Sequence, residues 1–213
     1  MARMNWLILV PATLQAVTLH APSMEQTNSY KIREAIASEY GTLVMTGTEK
    51  RHIGKPVKGT RQVEITFDVQ ITERSYSGAT AEIWAKQELD GLREPDKGTL
   101  DELDRFTEPD GVAVDAFPIL TNKPVELGAA WQVMVSGAKC LYTLMKIEKA
   151  GGVDCAVINT ESSMQGGFGK VTRNGMWKLE IASGRLVSWS IHTNVKYSGG
   201  KRETVETSGQ LTD

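Results

Sequence analysis

The chain has 213 residues, 24 of them Lys or Arg and 26 Asp or Glu, for a formal net charge of −2. That balance leaves no basic footprint for nucleic acid. Two cysteines cannot build a disulfide scaffold, and about 190 residues beyond a leader suffice to bury a core without one.

At the N-terminus Arg3 precedes Trp6-Leu-Ile-Leu-Val-Pro-Ala-Thr-Leu14, with Ala16 and Ala21 beyond. A charged start, a short apolar run and small residues at a cut describe a secretory signal peptide over residues 1–16, hence an extracytoplasmic (periplasmic or secreted) protein. Pro11 inside the run and Leu14 or Leu19 at the −3 position depart from that pattern. The competing reading is a buried first strand of a cytosolic protein. The run is too short for a transmembrane segment, and no cysteine follows it to carry a lipid anchor.

Alternation of apolar and polar residues then dominates. Val63-Glu-Ile-Thr-Phe-Asp-Val-Gln-Ile71 places Val63, Ile65, Phe67, Val69 and Ile71 on one face. Val187 to Tyr197 alternates over a longer run. Further strands are predicted over Ala16–Ala21, Ser29–Ile36, Gly41–Thr48, Ala79–Lys86, Ala130–Val135, Lys139–Glu148, Val153–Thr160, Gly175–Ile181 and Arg202–Thr207. Turn signals stand between them at Tyr76-Ser-Gly78, Pro109-Asp-Gly111, Gly151-Gly152, Ser183-Gly184 and Ser198-Gly-Gly200. Lys50, Arg51, Lys55, Lys58 and Arg61 read as a solvated hairpin loop. Ten acids between Glu88 and Asp115 read as a solvated, loop-rich stretch. Within it Thr99-Leu-Asp-Glu102 fits a capping box, so a short helical turn competes there with an irregular strand.

Cys140 and Cys155 fall on a hairpin turning at Gly151-Gly152, which sets Cys155 opposite a residue near Glu148. Cys140 then lies eight residues further along, about 25 Å away, so the expectation is two separately buried thiols.

Two β halves are expected, over residues 17–115 and 132–213, joined by a proline-braced connector over 116–131. Ile65–Thr72 followed by Ala79–Ala85 parallels Leu141–Glu148 followed by Val153–Thr160. Leu103–Val114 lies over Met176–Val187 without a gap, so the halves read as an internal duplication. Pro118 and Pro124 fix φ and remove donors, which keeps the connector out of a central strand. Pro118 with Lys123-Pro124-Val125-Glu-Leu-Gly128-Ala-Ala-Trp131, followed by Leu141–Thr160 and Met176–Val187, resembles an uncharacterised β-rich domain of unknown function found in exported bacterial proteins. The resemblance implies an extracytoplasmic β-rich fold and brings no catalytic residues. Ala129-Ala130 departs from it, since such domains often carry a polar pair there.

Little chemistry is visible. His20, His52 and His192 have no ligand partners at metal spacing, and Ser162-Ser163 lacks the glycines of a nucleophile elbow. Gly166-Gly-Phe-Gly-Lys170 fails as a phosphate loop because Met164 and Val171 occupy required Gly and Ser/Thr positions. Trp177 is in phase with Leu179 and Ile181, and Trp189 with Val187 and Ile191, so their rings lie on buried faces. Where the sheet curves away from a partner layer, Trp131, Trp177 and Trp189 would line an apolar groove.

The reading is an all-β fold of antiparallel meanders in two related halves, as a sandwich or an open curved half-barrel. The function it favours is a non-catalytic exported domain, without a cofactor, binding a lipid or other apolar small molecule between curved sheets. The alternative is a structural or interaction module with an envelope protein partner. A hydrolase assembled only in the fold ranks third.

Overall fold

A computed structural model describes residues 16–22, 24–109, 113–114 and 116–212. Almost all of the predicted leader, residues 1–15, lies outside the described residues, as does most of the turn predicted at Pro109-Asp-Gly111. Among the described residues twelve strands and one helix follow in chain order: β1 Gln26–Ser38, β2 Gly41–Ile53, β3 Arg61–Ser75, α1 Ala79–Arg93, β4 Asp96–Leu100, β5 Phe106–Thr107, β6 Ala113–Val114, β7 Ala130–Val135, β8 Ala138–Ala150, β9 Val153–Gly166, β10 Gly169–Glu180, β11 Leu186–Tyr197 and β12 Arg202–Thr212.

All twelve belong to one antiparallel sheet, in the linear order β6-β5-β4-β3-β2-β1-β12-β11-β10-β9-β8-β7. Each half of the chain is a six-stranded meander, and β1 joins the two by pairing with β12 from Ser29↔Thr212 to Ala37↔Thr204. The fold is therefore the open curved sheet, and the sandwich alternative is set aside.

Curvature follows from the connector's length. Flat, the eleven gaps between β6 and β7 would span about 53 Å. From Val114 to Ala130 is 130 − 114 = 16 residue steps, which reach about 53–58 Å only when fully extended. The connector is not extended: it bends at 122–123 and turns at Leu127-Gly128, where Gly128 has φ 81°. The sheet must curl for its edges to be joined. The connector crosses the concave side, burying Phe117, Ile119, Leu120 and Val125. Val125 pairs with Val17 through two backbone hydrogen bonds of 2.8 Å. Ala16–Ala21, predicted as a strand, contributes only this bridge.

The main core lies on the concave side and includes Tyr30, Ile32, Tyr142, Leu144, Ile158, Trp177, Leu179, Trp189 and Ile191. A second cluster sits under β4 and β5 around Leu100, Phe106 and Phe117. A third forms where α1 docks through Trp84 and Ala85 on Ile36, Leu43 and Met45.

Two expectations are corrected, and the choice left open at Thr99-Leu-Asp-Glu102 falls to the strand, since Thr99 and Leu100 end β4. Ala79–Lys86 is not a strand but the first half of α1, whose Ala81, Trp84, Ala85, Leu89 and Leu92 recur at helical spacing. Thr99-Leu-Asp-Glu102 starts no helix. The Asp101 carboxylate accepts the backbone N–H groups of Leu103 (2.8 Å) and Arg105 (3.0 Å), and the chain reverses so that Leu100 pairs with Phe106. The acidic stretch from Glu88 is largely helix and short strands rather than loop; its described acids are exposed or partly so, as expected, except Asp104, which is buried.

The hairpin at Gly151-Gly152 has φ of 57° and 87° at its two glycines, the left-handed pair that a two-residue turn needs. Its register sets Cys155 opposite Glu148, while Cys140 faces Ser162. Both cysteines are buried and no disulfide joins them. Of the two correspondences behind the duplication, Leu103–Val114 and Met176–Val187 both contain antiparallel strand pairs. Ile65–Ala85 is a strand running into a helix where Leu141–Thr160 is a hairpin, so that correspondence fails in structure.

Candidate functional site

The concave face is assembled by register. One row across six strands runs Ile32, Gly209, Trp189, Trp177, Ile158, Leu144. The next runs Glu34, Thr207, Ile191, Gly175, Thr160, Tyr142, Trp131. Trp177, Trp189 and Trp131 thus share one face, with Trp177 and Trp189 directly opposite each other on β10 and β11. Trp177 and Trp189 are buried. Trp131, half-buried, stacks on Tyr142 at 5.7 Å and donates its indole N–H to the Ile119 carbonyl at 2.8 Å.

Gly209 is required by this arrangement. A Cβ there would lie 2.1 Å from the Trp189 ring, so the indole lies flat over the β12 backbone. Tyr30 meets that indole edge-on, with centroids 5.0 Å apart, and donates its hydroxyl to the Leu186 carbonyl at 3.1 Å. Burial pushes the Tyr30 phenol up to about 12.

Two polar atoms in these rows are orphaned. Trp177 Nε1 and Thr160 Oγ1 are buried with no hydrogen-bond partner among the described residues. An unmet buried donor or acceptor costs about 1–3 kcal/mol, so each marks a place for a partner.

Arg51 and Arg61, expected in a solvated loop, are instead buried strand residues. The Arg51 guanidinium lies 4.4 Å from the Trp189 ring centroid, 4.6 Å from Phe117 and 5.5 Å from Tyr30. It pairs with buried Glu49 and donates to the Ala116 carbonyl at 3.0 Å, tying the connector to the sheet. Arg61 pairs with Asp104 at 2.8 Å and donates to the Asp101 carbonyl at 2.6 Å. Burial pushes Asp104 up to about 7 despite the opposing pull of Arg61. The missed signal was phase: Glu49 and Arg51 share the face of Met45 and Ile53, and Arg61 that of Val63 and Ile65.

Burial is also the main cause that raises the carboxyls of Glu34, Glu88 and Glu203, which lie on β1, α1 and β12 and repel one another through Glu88. The histidines are dispersed. His52 bonds Thr27 at 2.9 Å, His192 lies 3.3 Å from Glu206, and exposed His20 precedes β1. Among the described residues no group of three or more His, Cys, Asp or Glu side chains could hold a metal ion, and no helix is long and apolar enough to cross a membrane.

No protein-family model matches the chain, and no curated protein matches it. Among solved structures, one similar chain is described as an outer membrane lipoprotein-sorting protein domain from Vibrio parahaemolyticus. It is 9% identical, with 88% of this chain and 83% of that chain covered, and the TM-score of 0.23 is below the level at which two folds are alike.

Proposed function

We propose that this chain is an exported, non-catalytic β domain that takes an apolar ligand, such as a lipid chain with a polar end, against the concave face of its sheet. The observation that carries the reading is the pair of buried polar atoms without a partner among the described residues, Trp177 Nε1 and Thr160 Oγ1, set among largely apolar neighbours. A ligand carrying one carbonyl or hydroxyl would satisfy them while its apolar body replaced connector side chains. Support also comes from what covers the face: a single connector, the Ala16–Ala21 segment and α1 through Leu89 and Leu92, not a second sheet. Such a cover can shift without dismantling strand pairing.

Native mass spectrometry of the full chain recovered from its expression compartment tests this directly. The expected result is an adduct of several hundred daltons, displaced by a hydrophobic fluorescent probe. A ligand-free mass together with no saturable probe binding refutes the reading. Thr160→Val sharpens the test. In delipidated protein it should raise stability by about 1 kcal/mol, by removing an unmet hydroxyl, and it should weaken the adduct.

The second reading, an envelope interaction module, rests on the sheet's open edge at β7, whose backbone could accept a partner strand.

A further inference from the structure

The outer face carries a second groove, whose lining also reaches Ile32, Trp177, Trp189 and Gly209 of the concave row. The outward-facing residues that the two central strands β11 and β12 contribute to it are Ser188, Ser190 and Ser208, all small, and the longer Gln210. The flanking strands carry long side chains, Lys31 and Arg33 on β1 and Met176 and Lys178 on β10. Lys146 of β8 extends the second bank. Short residues between long ones make a trough of about 630 Å³, with serine hydroxyls on its floor. That volume suits a small molecule.

The trough is basic within a chain of net charge −2. Lys31, Arg33, Lys146 and Lys178 stand against one acid, Glu148, so its lining sums to 4 − 1 = +3. Glu148 is engaged by Lys178 at 2.6 Å and by Lys146 at 2.5 Å. Neither Lys31 nor Arg33 has an acidic side chain within ion-pair distance among the described residues. Three strand spacings separate the banks on β1 and β10, about 14 Å. Unpaired cations on one bank, partly neutralised cations on the other and hydroxyl donors between them form a chemically complementary surface for phosphate oxygens.

We infer that this outer trough binds a phosphate-bearing ligand, with Arg33 and Lys31 holding the phosphate and Ser190 and Ser208 donating to it. A soluble phosphoester and a phospholipid headgroup offer the same chemistry. The inference does not depend on the concave site being occupied.

The test is titration of the full chain with inorganic pyrophosphate, by calorimetry and by backbone amide shifts. Co-sedimentation with phosphatidylglycerol vesicles, and with phosphatidylcholine vesicles carrying no net charge, runs alongside. Saturable pyrophosphate binding, with shifts confined to the outward residues of β1 and β10–β12, supports a soluble phosphoester. Binding to phosphatidylglycerol vesicles alone, lost in the variant below, supports a headgroup. Arg33→Glu should weaken either by about tenfold or more, the size of one charge-assisted hydrogen bond. Lys55→Glu, in the separate β2–β3 loop, should leave it unchanged. Absence of saturable binding to any probe overturns the inference. So does equal loss in Lys55→Glu, shifts spread over all basic surfaces, or selective binding of an acidic peptide in place of phosphate. The amide map of the unaltered chain decides the matter even where a variant folds poorly.

Discussion

Gly209→Ala is the sharpest probe of the concave face. The added Cβ would lie 2.1, 2.3 and 2.5 Å from Cη2, Cζ2 and Cζ3 of Trp189, so the indole has to move. That ring is wedged between the edge-on Tyr30 ring at 5.0 Å and the Arg51 guanidinium at 4.4 Å. Overpacking costs about 1–3 kcal/mol. The disturbed aromatic pair adds about 0.5–1.5 kcal/mol, and the cation–ring contact about 1–2 kcal/mol. The expected loss is about 2.5–6.5 kcal/mol, read as a lower midpoint in urea unfolding followed by tryptophan fluorescence. Trp189→Leu removes the clashing ring, so in that background the same alanine should cost less than about 1 kcal/mol. Equal costs in the two backgrounds would refute the claim that Gly209 exists to seat Trp189.

Other consequences can be checked as directly. Arg51→Met leaves Glu49 buried without its partner and should cost about 3–5 kcal/mol, while the double change with Glu49→Met should recover much of it. If the single and double variants are equally unstable in urea, the ion pair is not what holds that position. Asp104 is raised from 3.8 to about 7, so its folded form retains a proton that the unfolded chain releases. The stability it contributes is complete below pH 3.8 and lost as pH rises through about 7; Glu34, Glu88 and Glu203, also raised, act in the same direction. Urea midpoints should therefore fall between pH 5 and pH 8, and Asp104→Asn should flatten that slope; an unchanged slope would show that Asp104 ionises normally in the fold.

How legible this protein is depends on how local each feature is. Alternation placed the strands containing Val63–Ile71 and Val187–Tyr197 and turned Trp177 and Trp189 inward, because side chains on a strand must alternate whatever lies beside it. The glycine pair at 151–152 set the β8–β9 register to the residue opposite Cys155. Ala79–Lys86, half of α1, is too short a window to tell a helix from a strand by periodicity. The helix's Leu89 and Leu92 fall among acids that read as loop, although their spacing from Ala81 and Ala85 is helical.

From the sequence by itself came the strand content, the inward face and the connector's inability to be a central strand. Only the tertiary structure decided that both meanders form one sheet. That pairing joins Ser29 to Thr212 across nearly the whole chain, and no local pattern specifies which strand a distant one will meet. It likewise decided that Glu49, Arg51 and Asp104 are buried, since the rings, carbonyls and opposite charges that make their burial tolerable come from β1, β3, β11 and the connector. The outer trough has the same origin: serines on β11 and β12 are an unremarked polar face until β1 and β10 stand on either side of them.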